Sequence, residues 1–178
     1  MKNLFLICAA VFALLIAGCP SNDSRIGDPD NQRIDRNQRH SDRWQKIQLL
    51  QEHNEQRRSK RLHELYEDRD LAEAAQEWAE HMRDRNRLYH GSLRSKVDSN
   101  QFRLVGENIA WGQENAEEAT KSWMNSWGHR RNILNDDFYF VGFGVAEDRN
   151  GRIYWCAIFG GAKTEPERHR DWPWRYNN

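Results

Sequence analysis

Two alternating runs, residues 138–146 (FYFVGFGVA) and 152–159 (RIYWCAIF), flank Asp148-Arg149-Asn150-Gly151. An Asn-Gly pair between such runs is the strongest short-range hairpin signal, because both residues accept the positive φ angles of a tight antiparallel turn. The chain must therefore build an antiparallel sheet near its C-terminal end, with Val141, Phe143 and Val145 sharing one face. Cys156 lies mid-strand between Trp155 and Ala157 and reads as a small buried thiol rather than a reactive one.

Helical periods precede the hairpin. Residues 70–86 place Leu71, Ala74, Ala75, Trp78 and Met82 on one stripe, opposite the solvated charges Glu73, Glu77, Glu80, Arg83 and Asp84. Asp70 with Glu73 three residues later gives a capping-box-like start. An earlier helix is expected from the spacing of Trp44, Ile47 and Leu50, ending in a basic break over 57–61. His53 sits on or beside its buried face, as a hydrogen-bonded histidine rather than a ligand. A third helix starts at Asn115 with Glu118 and lines up Ala116, Ala119, Trp123 and Trp127. Gly128 is expected to end it in a left-handed turn, from which His129 emerges. With a short strand at 102–105, this order predicts an α+β fold, a three-layer α-β-α sandwich.

The 178 residues suit one domain, and 27 basic against 27 acidic residues leave no net field to draw the protein to nucleic acid. The N-terminus carries a separate message. Lys2 is followed by an apolar run to Ile16, too short to span a bilayer, and then by Ala17-Gly18-Cys19. The pattern resembles a bacterial lipoprotein signal over 1–18, in which Cys19 takes the lipid and anchors the chain to a membrane. The alternative is an ordinary secretory signal with a chance cysteine. Either implies an extracytoplasmic protein of the cell envelope, at the outer membrane if the cell is Gram-negative. Cys8 would leave with the signal, so Cys156 has no internal disulfide partner. Residues 19–42 are nearly devoid of apolar side chains and read as a disordered tether. The domain proper spans 43–162, and a tail over 163–178 keeps Trp172, Trp174 and Tyr176, either folded back on the domain or exposed to a membrane or partner.

Three polar positions stand out. His90 falls just past the second helix, before Gly91, which lets the chain turn. Glu107 lies between Gly106 and Asn108 ahead of an apolar run, so its carboxylate needs partners, either backbone amides or a histidine. His129 follows the third helix. The run 71–90, the Gly106-Glu107-Asn108-Ile109-Ala110 box, the Gly128-His129-Arg130-Arg131-Asn132-Ile133-Leu134 box and Tyr154-Trp155-Cys156-Ala157-Ile158-Phe159-Gly160 follow one another in the order of the CAP (SCP) superfamily. The chain resembles a bacterial, lipoprotein-type member of that superfamily, which includes cysteine-rich secretory proteins, antigen 5 and pathogenesis-related 1 proteins.

The resemblance implies an α-β-α sandwich with a central cleft and, in many members, two histidines and two acids. His90, Glu107 and His129 match three of these. The second acid has no match, and Ser126 is the nearest polar residue. Two imidazoles and a carboxylate are the ligand set of an open Zn2+ site. The same three residues would equally form a metal-free clamp, with Glu107 bonded to one histidine. A Ser126-His129-Glu107 nucleophile is a further arrangement, without an oxyanion signature beside it. Arg130 and Arg131 either meet an anionic headgroup or wall carboxylate or pair with Asp136 and Asp137. The expected function is binding of a lipid or cell-envelope ligand in the cleft. The alternatives are a metal-dependent hydrolase or peptidase and a non-catalytic adhesion module working through the tail.

Overall fold

The computed structural model describes residues 29–97 and 102–161, with side chains placed from residue 41 except at 94 and 95. The signal, Cys19, residues up to 28 and the tail from 162 lie outside them. Five helices and four strands follow in the order α1 (Pro29–Ser59), β1 (Tyr66–Glu67), α2 (Arg69–Asp84), α3 (Leu93–Lys96), β2 (Val105–Trp111), α4 (Ala116–Asn125), α5 (Trp127–Ile133), β3 (Phe140–Glu147) and β4 (Ile153–Gly160). The strands form one mixed sheet, ordered β1-β3-β4-β2, in which β1 runs parallel to β3 and the other pairings are antiparallel. The hairpin forms with Gly151 at φ +79°.

Alternation along β3 builds the three layers. Val141, Phe143 and Val145 join Leu49, Trp123, Ile133, Trp155 and Phe159 in the core beneath α1, α4 and α5. Phe140 and Ala146, with Cys156 and Ile158 of β4, join Leu71, Ala75, Ala79 and Met82 beneath α2. Between Phe140 and Ala146 the α2 side carries Gly142 and Gly144, and α2 lies directly on them. A Cβ at Gly142 would stand 2.1 Å from backbone atoms of Leu71 and Ala72, and one at Gly144 2.0 Å from the carbonyl oxygen of Ala75. Cys156 is fully buried and its thiol is pushed well above its usual value by burial, which keeps it protonated and inert.

Several helix assignments shift. In α2 the cap is Asp68, whose Oδ1 accepts from the amides of Asp70 and Leu71 at 3.0 and 3.1 Å, two residues before the expected Asp70. Asn115 caps α4 as expected, its Oδ1 accepting from Glu118 N at 2.9 Å. That helix stops at Asn125, and Ser126 is extended (φ −95°, ψ 121°) before α5 begins. Gly128 is therefore inside a helix with no left-handed turn, and Trp127 leaves the core stripe to stand 68% exposed. The strand expected at 102–105 lies instead at 105–111 and includes Glu107. Helix α1 begins at Pro29, so residues 29–42, expected as tether, are helical. Its buried face is Leu49, His53, Asn54 and Arg57, while Trp44 and Ile47 are exposed.

His53 is wholly buried between Trp123 and Phe143, with Nδ1 donating to the Leu49 carbonyl at 2.8 Å and Nε2 unpartnered. Burial lowers its pKa to about 4, the Leu49 carbonyl opposing and Arg57 adding to the effect. The unfolded chain thus binds a proton near pH 6.5 that the folded chain refuses, and stability falls as pH drops through that window. The expected loss between about pH 7 and about pH 5 is about 2 kcal/mol from this group. Urea denaturation at the two pH values checks it, because His53→Met should lose less by that amount; equal losses would refute it.

Candidate functional site

The site starts at the end of α2. Asn86 adopts the left-handed conformation (φ 46°), its amide donates to Arg83 O at 3.0 Å and that of Arg87 to Met82 O at 3.0 Å. This is a Schellman closure, made by Asn86 rather than by the expected Gly91. The Asn86 side chain is fixed from the sheet, its Oδ1 accepting from Tyr154 Oη at 2.9 Å and Arg152 Nη1 at 3.0 Å. The chain then passes Trp78, whose Nε1 donates to Tyr89 O at 3.2 Å. Gly91 serves a close approach here, since a Cβ on it would lie 2.4 Å from the indole.

These contacts deliver His90 to Glu107. His90 Nδ1 lies 2.8 Å from Glu107 Oε1, while the His90 side chain is 58% exposed and that of Glu107 only 2%. The other carboxylate oxygen, Oε2, accepts from Lys96 Nζ of α3. Lys96 is buried too, its ammonium 3.5 Å from the Trp78 ring centroid. A buried carboxylate needs its lone pairs filled, and here a cation and an imidazole fill both sides. Lys96 is the residue that sequence reasoning missed. It sits in the polar stretch 92–100, and nothing in its spacing marks it.

Asn108 and Asn132 join the second histidine to the first. Asn108 points to the opposite face of β2 from Glu107, and its Nδ2 donates to His129 O at 3.0 Å. Asn132 Nδ2 donates to Glu107 O at 3.1 Å and to Asn108 Oδ1 at 2.8 Å. Helix α5 is thereby stapled to the strand that carries Glu107. His129 has its pKa lowered, first by partial burial and then by repulsion from His90. Ser126 stands at the head of α5, its carbonyl accepting from Arg130 N at 2.8 Å. Among the described residues it makes no hydrogen bond to His129, so the geometry assembles no nucleophile. Arg130 and Arg131 make no ion pair with Asp136 or Asp137 among the described residues.

The zinc reading meets an obstacle in the donor set. Glu107 already shares its charge with an ammonium, and a dication drawing on it would face Lys96 as a like charge. Among the described residues no three of His, Cys, Asp or Glu are grouped to hold a metal ion. The residues present do not fit zinc. What they form is a His90 imidazole held by a buried ion pair at a partly open surface, with the His129 backbone tied to the strand that carries Glu107.

Comparison with known proteins places these features. The family model described as "CAP: Cysteine-rich secretory protein family" matches residues 50–159. An uncharacterized Bacillus subtilis protein, YkwD, is 39% identical over 115 residues, 61% of this chain and 44% of that protein. A Bacillus subtilis uncharacterized membrane protein, YlbC, is 33% identical over 117 residues, 58% of this chain and 34% of that one. The matches thus span less than half the length of these curated relatives. Among solved structures, an extracellular protein containing an SCP domain from Bacillus anthracis superposes with a TM-score of 0.61 at 28% identity, over 75% of this chain and 44% of that one. A cysteine-rich secretory protein from Staphylococcus aureus superposes with a TM-score of 0.58 at 27% identity, over 67% and 39%.

Proposed function

Because this chain belongs to the cysteine-rich secretory protein (CAP) family, we propose that it is an extracytoplasmic binding protein. It is tethered to a membrane through Cys19 and holds a lipid or cell-envelope molecule at His90 and His129. The observation that carries this reading is the double occupation of Glu107, by His90 at Oε1 and Lys96 at Oε2. A carboxylate so engaged is a poor general base, which must accept a proton, and a poor metal ligand, which must offer a lone pair. What it does well is hold the His90 ring with Nδ1 turned inward, leaving Nε2 to a ligand. His129, held below the usual histidine value, is neutral near pH 7 and can accept as well as donate. Paired imidazoles of this kind suit hydroxyl and carbonyl groups of a bound molecule. The extracytoplasmic location is supported by the Bacillus anthracis relative, which is itself an extracellular protein.

The test is native mass spectrometry of the full chain purified from membranes, beside the double variant His90→Ala, His129→Ala. A co-purifying envelope molecule is expected in the wild type and absent from the folded double variant. The same mass in both proteins would sink the reading. Zinc calorimetry separates the hydrolase alternative. Wild type is expected to show no saturable zinc binding, and Lys96→Met, which frees Glu107, to gain it. Stoichiometric zinc in the wild type that disappears from the double histidine variant would favour the metal-dependent hydrolase instead.

A further inference from the structure

A groove of about 500 Å³ runs along α5, lined by Trp127, Arg130, Arg131 and Asn132 and by the apolar side chains of Leu104 and Phe138. Trp127 is the most exposed large apolar residue among those described, and Leu104 beside the groove is 40% exposed. The Arg131 guanidinium lies 5.2 Å from the Trp127 ring centroid. Arg130 is held from behind, its Nη1 donating to Met124 O at 3.0 Å. Neither arginine has a carboxylate partner among the described residues. Of the neighbouring acids, Asp136 acts electrostatically on the buried Arg57.

We propose that this groove, which neither His90, Glu107 nor His129 lines, is a binding site for an acidic saccharide. Two guanidiniums without counter-ions favour a carboxylate, which each can meet with parallel N–H donors. The indole offers a flat apolar surface on which the C–H face of a sugar ring can lie, with its polar edge still in water. The groove is open to solvent and has arginines along its apolar lining, so an acyl chain lying in it would stay in contact with water and charge, which sets the occupant apart from a lipid tail. The site is preset by backbone: the extended Ser126 that separates α4 from α5 is what turns Trp127 outward beside the arginines.

The experiment titrates the full chain with a galacturonate tetrasaccharide, following Trp fluorescence and calorimetry, beside the same tetrasaccharide with its carboxylates methyl-esterified. Saturable binding of the acid form is expected, with at least tenfold weaker binding of the neutral ester and clear weakening by salt. Arg131→Lys should weaken binding several-fold, because an ammonium lacks the fork, and Trp127→Ala and Arg130→Ala, Arg131→Ala at least tenfold. These side chains are at the surface, so circular dichroism should be unchanged, and His90→Ala should bind the saccharide as the wild type does. Equal binding of acid and ester, or unaltered affinity in the arginine variants, would overturn the proposal. So would binding of phosphatidylglycerol vesicles, lost in the same variants, without saccharide binding; it would assign the groove to a membrane surface.

Discussion

Replacing Arg57 with methionine is expected to destabilise the domain by about 4 kcal/mol, although it has no ion-pair partner among the described residues. Its guanidinium is fully buried and serves as a hub for main-chain oxygens. Nε donates to His63 O at 2.8 Å, Nη1 to Ile133 O at 2.9 Å and Asn135 O at 2.7 Å, and Nη2 to Phe138 O at 3.2 Å. Burial lowers its pKa to about 10, with Asp136 opposing, so the group stays charged at neutral pH. Methionine fills similar space but leaves these carbonyls without their donor. Arg57→Lys, with three donors on one atom, should recover less than half of the loss. Urea denaturation midpoints measure both variants. Because Ile133 and Asn135 bracket the end of α5, hydrogen exchange should also speed up at residues 134–138 in the methionine variant. A loss near zero would mean that water replaces the guanidinium without cost.

The second large effect is expected at the sheet face beneath α2. Gly144→Ala inserts a methyl group where only 2.0 Å separates its Cβ from the Ala75 carbonyl oxygen, and Gly142→Ala meets Leu71 and Ala72 at 2.1 Å. The opposing atoms are helix backbone, which cannot rotate aside as a side chain would. The helix must lift from the strand, and each change should cost about 3 kcal/mol, the upper part of the usual range for overpacking. A single displacement of α2 relieves both clashes, so the double variant should cost clearly less than the sum of the two. Thermal or urea unfolding of the three variants checks this. Strict additivity would show that each strain is absorbed locally. Since α2 ends at the Asn86 closure that aims His90, a lifted helix should also loosen the contact between His90 and Glu107.

Where polarity follows burial, the sequence reading holds, and it fails where polar groups are buried. The alternation of residues 138–146 and 152–159 places the hairpin because a strand shows its faces in period two, and the Asn150-Gly151 turn closes it. The apolar stripe of α2 is legible for the same reason. Helix α1 misleads, because its core face is Leu49, His53, Asn54 and Arg57. Asn54 is paid for by contacts no local pattern displays, donating to Leu65 O at 3.0 Å and accepting from Leu65 N at 2.7 Å. A stripe drawn through Trp44 and Ile47 therefore runs down an exposed face. The third helix misleads differently: the period continues through Trp127, but the backbone becomes extended at Ser126 and discards it.

By itself the sequence determined the α+β class, the hairpin, the inert Cys156 and the family, and it singled out His90 and Glu107, which the fold brings into contact, since motif order and local periodicity are properties of neighbours along the chain. Tertiary structure alone decided which partners Glu107 takes. Lys96 arrives from α3, eleven residues away, Asn108 and Asn132 bind β2 to α5 from its other face, and Trp127 turns out beside Arg130 and Arg131. A buried charge takes whichever partners the packing brings within reach, and that choice is made only when separate segments meet.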